Sequence, residues 1–270
     1  MLAVQEAKLK SLAELPGKRV VLIGGSGLGM GMCTSDLSAK LGRSVYNVGL
    51  HGGLGLVYQL KSVMGLLRTG DVAVLVPEYS NFDGSTCFGN MELVALLADI
   101  LPEHKTFISF IQWVHLLEFV PDYGATKLRK LFVASSDDNS GSNYDEFGDS
   151  RWVLNKADAQ VVFPVAKPTN GNEYDAAAVE AISEFINECK RVNVKVVLLP
   201  PAYQASSYDR QEEFILRVAR ELKQQSMPFL ADPKRYRLDD RFFYDTPYHL
   251  NLEGRKLRTK LVYEDLRRVL

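Results

Sequence analysis

The run Arg19-Val-Val-Leu-Ile23, apolar through four consecutive positions and cut off by Gly24 and Gly25, constrains the fold more than any other feature of the chain. A strand with one wet face alternates polar and apolar residues. One that is apolar throughout must be covered on both faces, as in the middle of a parallel sheet with helices on either side. Two comparable runs recur, residues 71–77 and 195–199, and each follows a stretch with helical spacing of apolar residues, 54–67 and 174–192. A shorter strand is expected over 44–47, a helix from Thr34 to Gly42, and a last short strand over 228–231. This alternation predicts an α/β class: a three-layer α/β/α arrangement with a mostly parallel central sheet.

Further helices are expected over 91–101, within 107–120, and over 126–134, 209–225 and 252–269, the last with Leu257, Leu261, Leu266 and Val269 turned toward the sheet. The Ser-, Asp- and Asn-rich stretch 135–150 reads as a surface excursion and 151–165 as a hairpin-like piece, so 135–172 is expected to be a lid-like insertion. A long sheet covered on both faces can absorb all 270 residues, which predicts a single domain over 1–270.

Composition excludes several classes of function. Lys and Arg number 32 against 33 Asp and Glu, so no broad basic field exists to hold nucleic acid, and Arg267 with Arg268 reads as a solvated helix end. Cys33, Cys87 and Cys189 lack the spacing of a metal site and read as buried free thiols. No apolar run reaches the roughly 20 residues of a membrane span, and residues 1–10 lack the apolar core of a secretory signal. The chain reads as soluble, which fits both a cytoplasmic protein and the soluble part of an envelope-associated one. Composition does not indicate an oligomeric state.

Ligands of parallel sheets bind beyond the carboxyl ends of the strands, where Gly24-Gly25-Ser26 lies. Glycines on both sides of Ser26 permit a tight turn and expose its hydroxyl beside backbone N–H groups, as a nucleophile in acyl transfer requires. A phosphate cradle is the competing reading, but the third position of GxGxxG falls on Met30 or Met32, and the Walker lysine is missing. Leu28 breaks the GxSxG elbow of α/β-hydrolases. A serine nucleophile needs a base. Of His51, His104, His115 and His249, the last lies in Asp245-Thr-Pro-Tyr-His249, a loop with a carboxylate at hand to orient the imidazole. His104 and His115 flank apolar stretches and read as structural or surface residues, while His51, beside Gly52, reads as a site-lining residue.

Over most of its length the chain resembles the SGNH hydrolases, the GDSL-like esterases and acyltransferases, which place a serine after the first strand and a histidine near the C-terminus. The resemblance implies a flavodoxin-like fold, no cofactor and no metal, with Ser26 as nucleophile, His249 as base and Asp245 as orienting carboxylate. Asp245 stands four positions before His249 where the family has three, so Asp239 and Asp240 stay open as alternatives. Asn47-Val-Gly-Leu-His-Gly52 resembles the second block and implies Gly52 as an oxyanion donor, with Gly49 and Gly53 as rivals. Pro77-Glu-Tyr-Ser-Asn81 resembles the third block and implies Asn81 as the second donor. His51, Glu78 and Tyr248 are expected to line the substrate, although Glu78 and Tyr79 read as readily as structural residues. The stretch from Tyr248 to Arg255, with Pro77-Glu-Tyr79 and Phe147-Gly-Asp149, looks like a divergent bacterial branch related to envelope-polysaccharide acyltransferases.

These readings predict an esterase or O-acyltransferase working through an acyl-enzyme on a small-molecule or carbohydrate ester. The rival is a non-catalytic glycan- or partner-binding protein, with the aromatic cluster Tyr144, Phe147 and Trp152 as its ring-stacking surface.

Overall fold

The computed structural model of the chain describes residues 3–132, 144–151 and 174–270. The elements run α1 (Ala3–Glu14), β1 (Arg19–Gly24), α2 (Ser26–Gly29), α3 (Thr34–Leu41), β2 (Ser44–Asn47), α4 (Leu56–Met64), β3 (Val72–Val76) and α5 (Met91–Asp99). There follow α6 (Phe110–Leu116), α7 (Val120–Phe132), α8 (Ala177–Arg191), β4 (Lys195–Leu198), β5 (Tyr203–Gln204), α9 (Ala205–Gln224), β6 (Arg237–Leu238) and α10 (Leu252–Leu266).

The central sheet is parallel with strand order β2-β1-β3-β4, and β5 pairs with β6 in a small separate ribbon. The apolar runs fulfil their expectation, since every residue of β1 and β3 is buried. Alternate side chains feed two cores. Val21, Ile23, Ala73 and Leu75 pack with α1, α4, α8 and α9, whereas Val20, Leu22, Val72 and Val74 pack with Leu28, Leu37 of α3, and Val262 and Leu266 of α10. The architecture is therefore three layers, α/β/α.

From β1 the chain moves outward to β2 and then returns across β1 to β3. The crevice between the carboxyl ends of β1 and β3 is thus the point where the winding reverses, the usual place for a ligand in an open sheet. Gly24 pairs in register with Val76, so Ser26 and Glu78, each two residues further on, leave the sheet at the same level.

Several expectations need correcting. The expected strand at 228–231 reduces to a single bridge, Leu198 to Phe229. The final helix fulfils its stripe in part, with Leu266 buried and Leu257, Leu261 and Val269 half-buried against apolar clusters, but it also buries Arg255, Arg258, Thr259, Val262 and Asp265. Part of the expected surface excursion is interior: residues 144–150 fold back on themselves through a Tyr144–Ser150 bridge, and Asp149 and Ser150 are buried. Gly148 is what permits this. Its φ is +84°, and its α-carbon lies so close to the Asn47 backbone that no side chain would fit. The rest of the expected lid, 135–143 and 152–172, lies outside the described residues, as does Trp152. Among the described residues no helix is long and apolar enough to cross a membrane.

Candidate active site

The site lies at the winding reversal. Ser26 opens α2, a single turn whose other residues are buried, and remains partly exposed. The Ser26 hydroxyl and His249 Nε2 are 2.8 Å apart, and His249 Nδ1 lies 2.7 Å from Asp245 Oδ1. The structure thus joins the three residues in one hydrogen-bonded chain, although the loop carries Asp245 four positions before the histidine. The local turn explains why four works: the Thr246 hydroxyl accepts the His249 N–H at 3.1 Å, which curls 245–249 so that carboxylate and imidazole share one side. Beyond the turn, Phe243 bridges Leu250, and the Tyr244 ring stacks on the imidazole with a centroid separation of 5.9 Å. The alternatives are occupied elsewhere. Asp239 accepts from Arg241 N and caps its own turn, and Asp240 accepts from Ser206 N.

Gly52 is at the site, its α-carbon facing the Glu78 carboxyl so closely that a Cβ would come within 2.9 Å of Oε2. Of the rivals, Gly53 donates its N–H to His51 Nδ1 and Gly49 donates to Asn47 Oδ1, each at about the length of an ordinary bond. Among the described residues, the N–H groups of Ser26 and Gly52 have no such partner. The Asn81 amide is not brought to the site. Its nitrogen donates to Thr86 Oγ1 at 2.9 Å and Thr86 O at 3.4 Å, and its oxygen accepts the Glu78 N–H at 2.9 Å, so the side chain closes its own turn.

Glu78 comes to the site instead. Its Oε1 accepts the Gly27 N–H at 3.0 Å, and its carboxyl fills the space where Gly25 would carry a Cβ, so this glycine is required by close approach. Burial pushes the Glu78 pKa upward. The Gly27 N–H bond and the nearby His249, His51 and Arg258 act in the opposite sense. His51 Nδ1 accepts from Gly53, which leaves its proton on Nε2. Tyr248 is half-buried beside the turn: its ring lies 4.7 Å from that of Tyr203, and its hydroxyl accepts the Tyr79 N–H at 3.1 Å.

Three groups have supporting roles that the sequence reading did not assign. Arg258 reaches from α10 across the crevice and donates to Gly27 O at 2.6 Å, fixing the Ser26 turn from behind, and burial lowers its pKa to about 10. The signal for it was an arginine in line with Val262 and Leu266 at intervals of four residues. Asp149 accepts from Thr34 Oγ1 at 2.6 Å and Asn47 Nδ2 at 2.8 Å, while Asn47 Nδ2 also donates to Leu28 O, so this loop locks α2, α3 and β2 together. Lys8, buried on α1, donates to Gly49 O at 2.5 Å and lies over the Tyr144 ring. Desolvation lowers its pKa to about 7 against the pull of Asp149 and Asp145.

No family model matches the sequence, and no curated protein matches it. Among solved structures, the chain is similar to a GDSL-like lipase from Bacteroides thetaiotaomicron, with 12% identity, a TM-score of 0.47 and full coverage of both chains. It is also similar to the protein YXIM from Bacillus subtilis, with 13% identity and a TM-score of 0.42, covering 93% of this chain and 57% of that one.

Proposed function

We propose that the protein is a serine-dependent ester hydrolase or O-acyltransferase that works through an acyl-enzyme. The observation that carries this reading is the continuous Asp245–His249–Ser26 hydrogen-bonded chain at the carboxyl end of the sheet. In the proposed reaction His249 Nε2 takes the Ser26 proton as Oγ attacks the ester carbonyl carbon. The carbonyl electron pair moves to oxygen, which the N–H groups of Ser26 and Gly52 receive. Collapse expels the alcohol, which leaves with the proton held by His249. The base then deprotonates the acceptor: water gives an esterase, and a carbohydrate or other hydroxyl gives an acyltransferase. Asp245 holds the imidazole in the required tautomer and stabilises its cation.

Two observations favour the rival, a binding protein on a degenerate site: the Asn81 amide is spent on Thr86, and a carboxyl stands next to the serine turn. The two readings separate in one experiment. A fluorophosphonate probe should label Ser26, identified by mass spectrometry, with labelling lost in Ser26→Ala and reduced by about 10⁴-fold or more in His249→Ala. A folded protein that is never labelled, or one labelled equally without His249, is a binding protein.

A further inference from the structure

We infer that the Glu78 carboxyl is itself an oxyanion donor, a neutral acid whose Oε2–H supplies the hydrogen bond that the Asn81 amide cannot. The inference rests on the serine-nucleophile reading above and extends it to a residue with no counterpart among the donors implied by the sequence.

Four observations support it. The register of β1 and β3 sets Glu78 level with Ser26, across the crevice where the winding reverses. The carboxyl is wedged among Gly25, Gly27 and Gly52, with Oε1 held by the Gly27 N–H and Oε2 on the side of Gly52, a proposed oxyanion donor. Asn81, the residue expected to donate, has its amide nitrogen bonded to Thr86 Oγ1 at 2.9 Å, with Thr86 O at 3.4 Å. Finally, Glu78 forms no ion pair among the described residues: the Arg258 guanidinium acts on it only through space, and its Nη1 donates to Gly27 O. A carboxylate buried without a paired cation is costly, and the neutral form is the ordinary outcome.

The groups that face Glu78 are His249 from the loop before α10, His51 from the loop after β2, Arg258 from α10, and the phenols of Tyr203 and Tyr248. The histidines and the arginine favour ionisation, and burial opposes it more strongly. A negative carboxylate next to a forming alkoxide would repel it, so only the protonated acid assists the reaction. The catalytic step is then balanced as follows. The Ser26 Oγ–C bond forms, the carbonyl π pair moves onto oxygen, the hydroxyl proton goes to His249, and the Glu78 proton is shared with the oxyanion without being transferred. When the tetrahedral species collapses, that hydrogen bond relaxes and Glu78 is unchanged.

The test measures the rate of fluorophosphonate labelling of Ser26 from pH 5 to 9 in the wild-type protein, Glu78→Gln and Glu78→Ala, with thermal unfolding of each as a check on folding. The expected wild-type rate falls on the alkaline side as one proton is lost. Glu78→Gln, which keeps a donor that cannot ionise, should stay within about ten-fold of wild type at the optimum and lose that alkaline fall. Glu78→Ala should drop by about 10²- to 10³-fold with Ser26 still the labelled residue.

Superimposable profiles for wild type and Glu78→Gln, or an undiminished rate in Glu78→Ala, would overturn the inference. So would a Glu78→Gln variant that is faster at every pH, because the carboxyl would then be a plug. Absence of Ser26 labelling in the wild-type protein at any pH would defeat the nucleophile reading and this inference with it. A readout independent of activity uses ¹³C-glutamate-labelled Ser26→Ala protein: the Glu78 carboxyl resonance should be that of the acid at the pH where the wild-type protein labels fastest, and a carboxylate resonance there would refute the assignment.

Discussion

Asp71 and Glu78 are buried carboxyls at opposite ends of β3, Asp71 just before its first residue and Glu78 two beyond its last. Asp71 is saturated. It accepts from the Arg19 backbone N–H at 2.9 Å, from Arg19 Nε at 3.2 Å and Nη2 at 2.5 Å, and from the Arg68 N–H at 2.9 Å. Arg19 in turn spends its remaining donors on Leu12 O and Leu66 O, tying α1 and the chain after α4 to the start of the sheet. Glu78 accepts the Gly27 N–H on Oε1, donates its own backbone N–H to Asn81 Oδ1, and otherwise feels charges that act only through space. The difference shows where a fold keeps capacity in reserve. A buried carboxyl whose bonds all close can only stabilise, whereas one left with an open oxygen at a ligand crevice can still bind something.

Three measurements would break or sharpen this contrast. The largest effect should come from Asp71→Ala, which strands the Arg19 guanidinium in a site with no exposure and should cost about 3–5 kcal/mol in denaturant unfolding. The labelling rate of the fraction still folded should be unchanged, and a fall in that rate would erase the distinction between the two ends. Next, Gly25→Ala places a methyl group inside the Glu78 carboxyl, which sits on a side chain able to swing away. Its labelling rate should fall by about 10²-fold with a stability loss of roughly 1 kcal/mol, and the effects of Gly25→Ala and Glu78→Ala should be strongly non-additive. Additive losses would mean that the glycine serves only the turn.

The smallest effect is the pH dependence of stability. Between the ordinary glutamate pKa of 4.5 and its raised value, the folded state holds a proton that the unfolded chain has released, so Glu78 makes stability decline as pH rises through that window. Lys8 has the opposite sign: between about 7 and 10.5 the unfolded chain holds the extra proton, and stability rises with pH. Glu78→Gln should remove the first slope and Lys8→Met the second, read from unfolding midpoints at a series of pH values. A variant that keeps its slope would show that the titrating group lies elsewhere.

The sheet was legible because its signal is local. The apolar run at Arg19 and the short strand Ser44–Asn47 fall where they were expected, and the glycine-flanked Ser26 and the loop carrying His249 could be picked out by their neighbours. What stayed hidden is polar burial. α1 puts Gln5 and Lys8 inside, and α10 puts Arg255 and Arg258 inside, so apolar periodicity outlines only part of each buried face. The 144–150 loop has the composition of a surface turn, and its bonds to Gly29, Thr34, Asn47 and Arg255 make it interior. Glu78 was visible as a residue after a strand. Its position beside Ser26 depends on the pairing of Gly24 with Val76, which spacing along the chain does not encode.

Ser26 and His249 are separated by 223 positions, and the arginine that steadies the serine turn comes later still. A ribosome adding about 5–20 residues per second would make the hydroxyl roughly ten to forty-five seconds before the imidazole that lies 2.8 Å from it in the folded chain. During that interval the nascent chain carries a serine no more reactive than any other. A reactive acyl-transfer site on a half-made chain would be a hazard to its neighbours, and on the proposed reading this order of assembly would postpone the chemistry until the sheet around it can be complete.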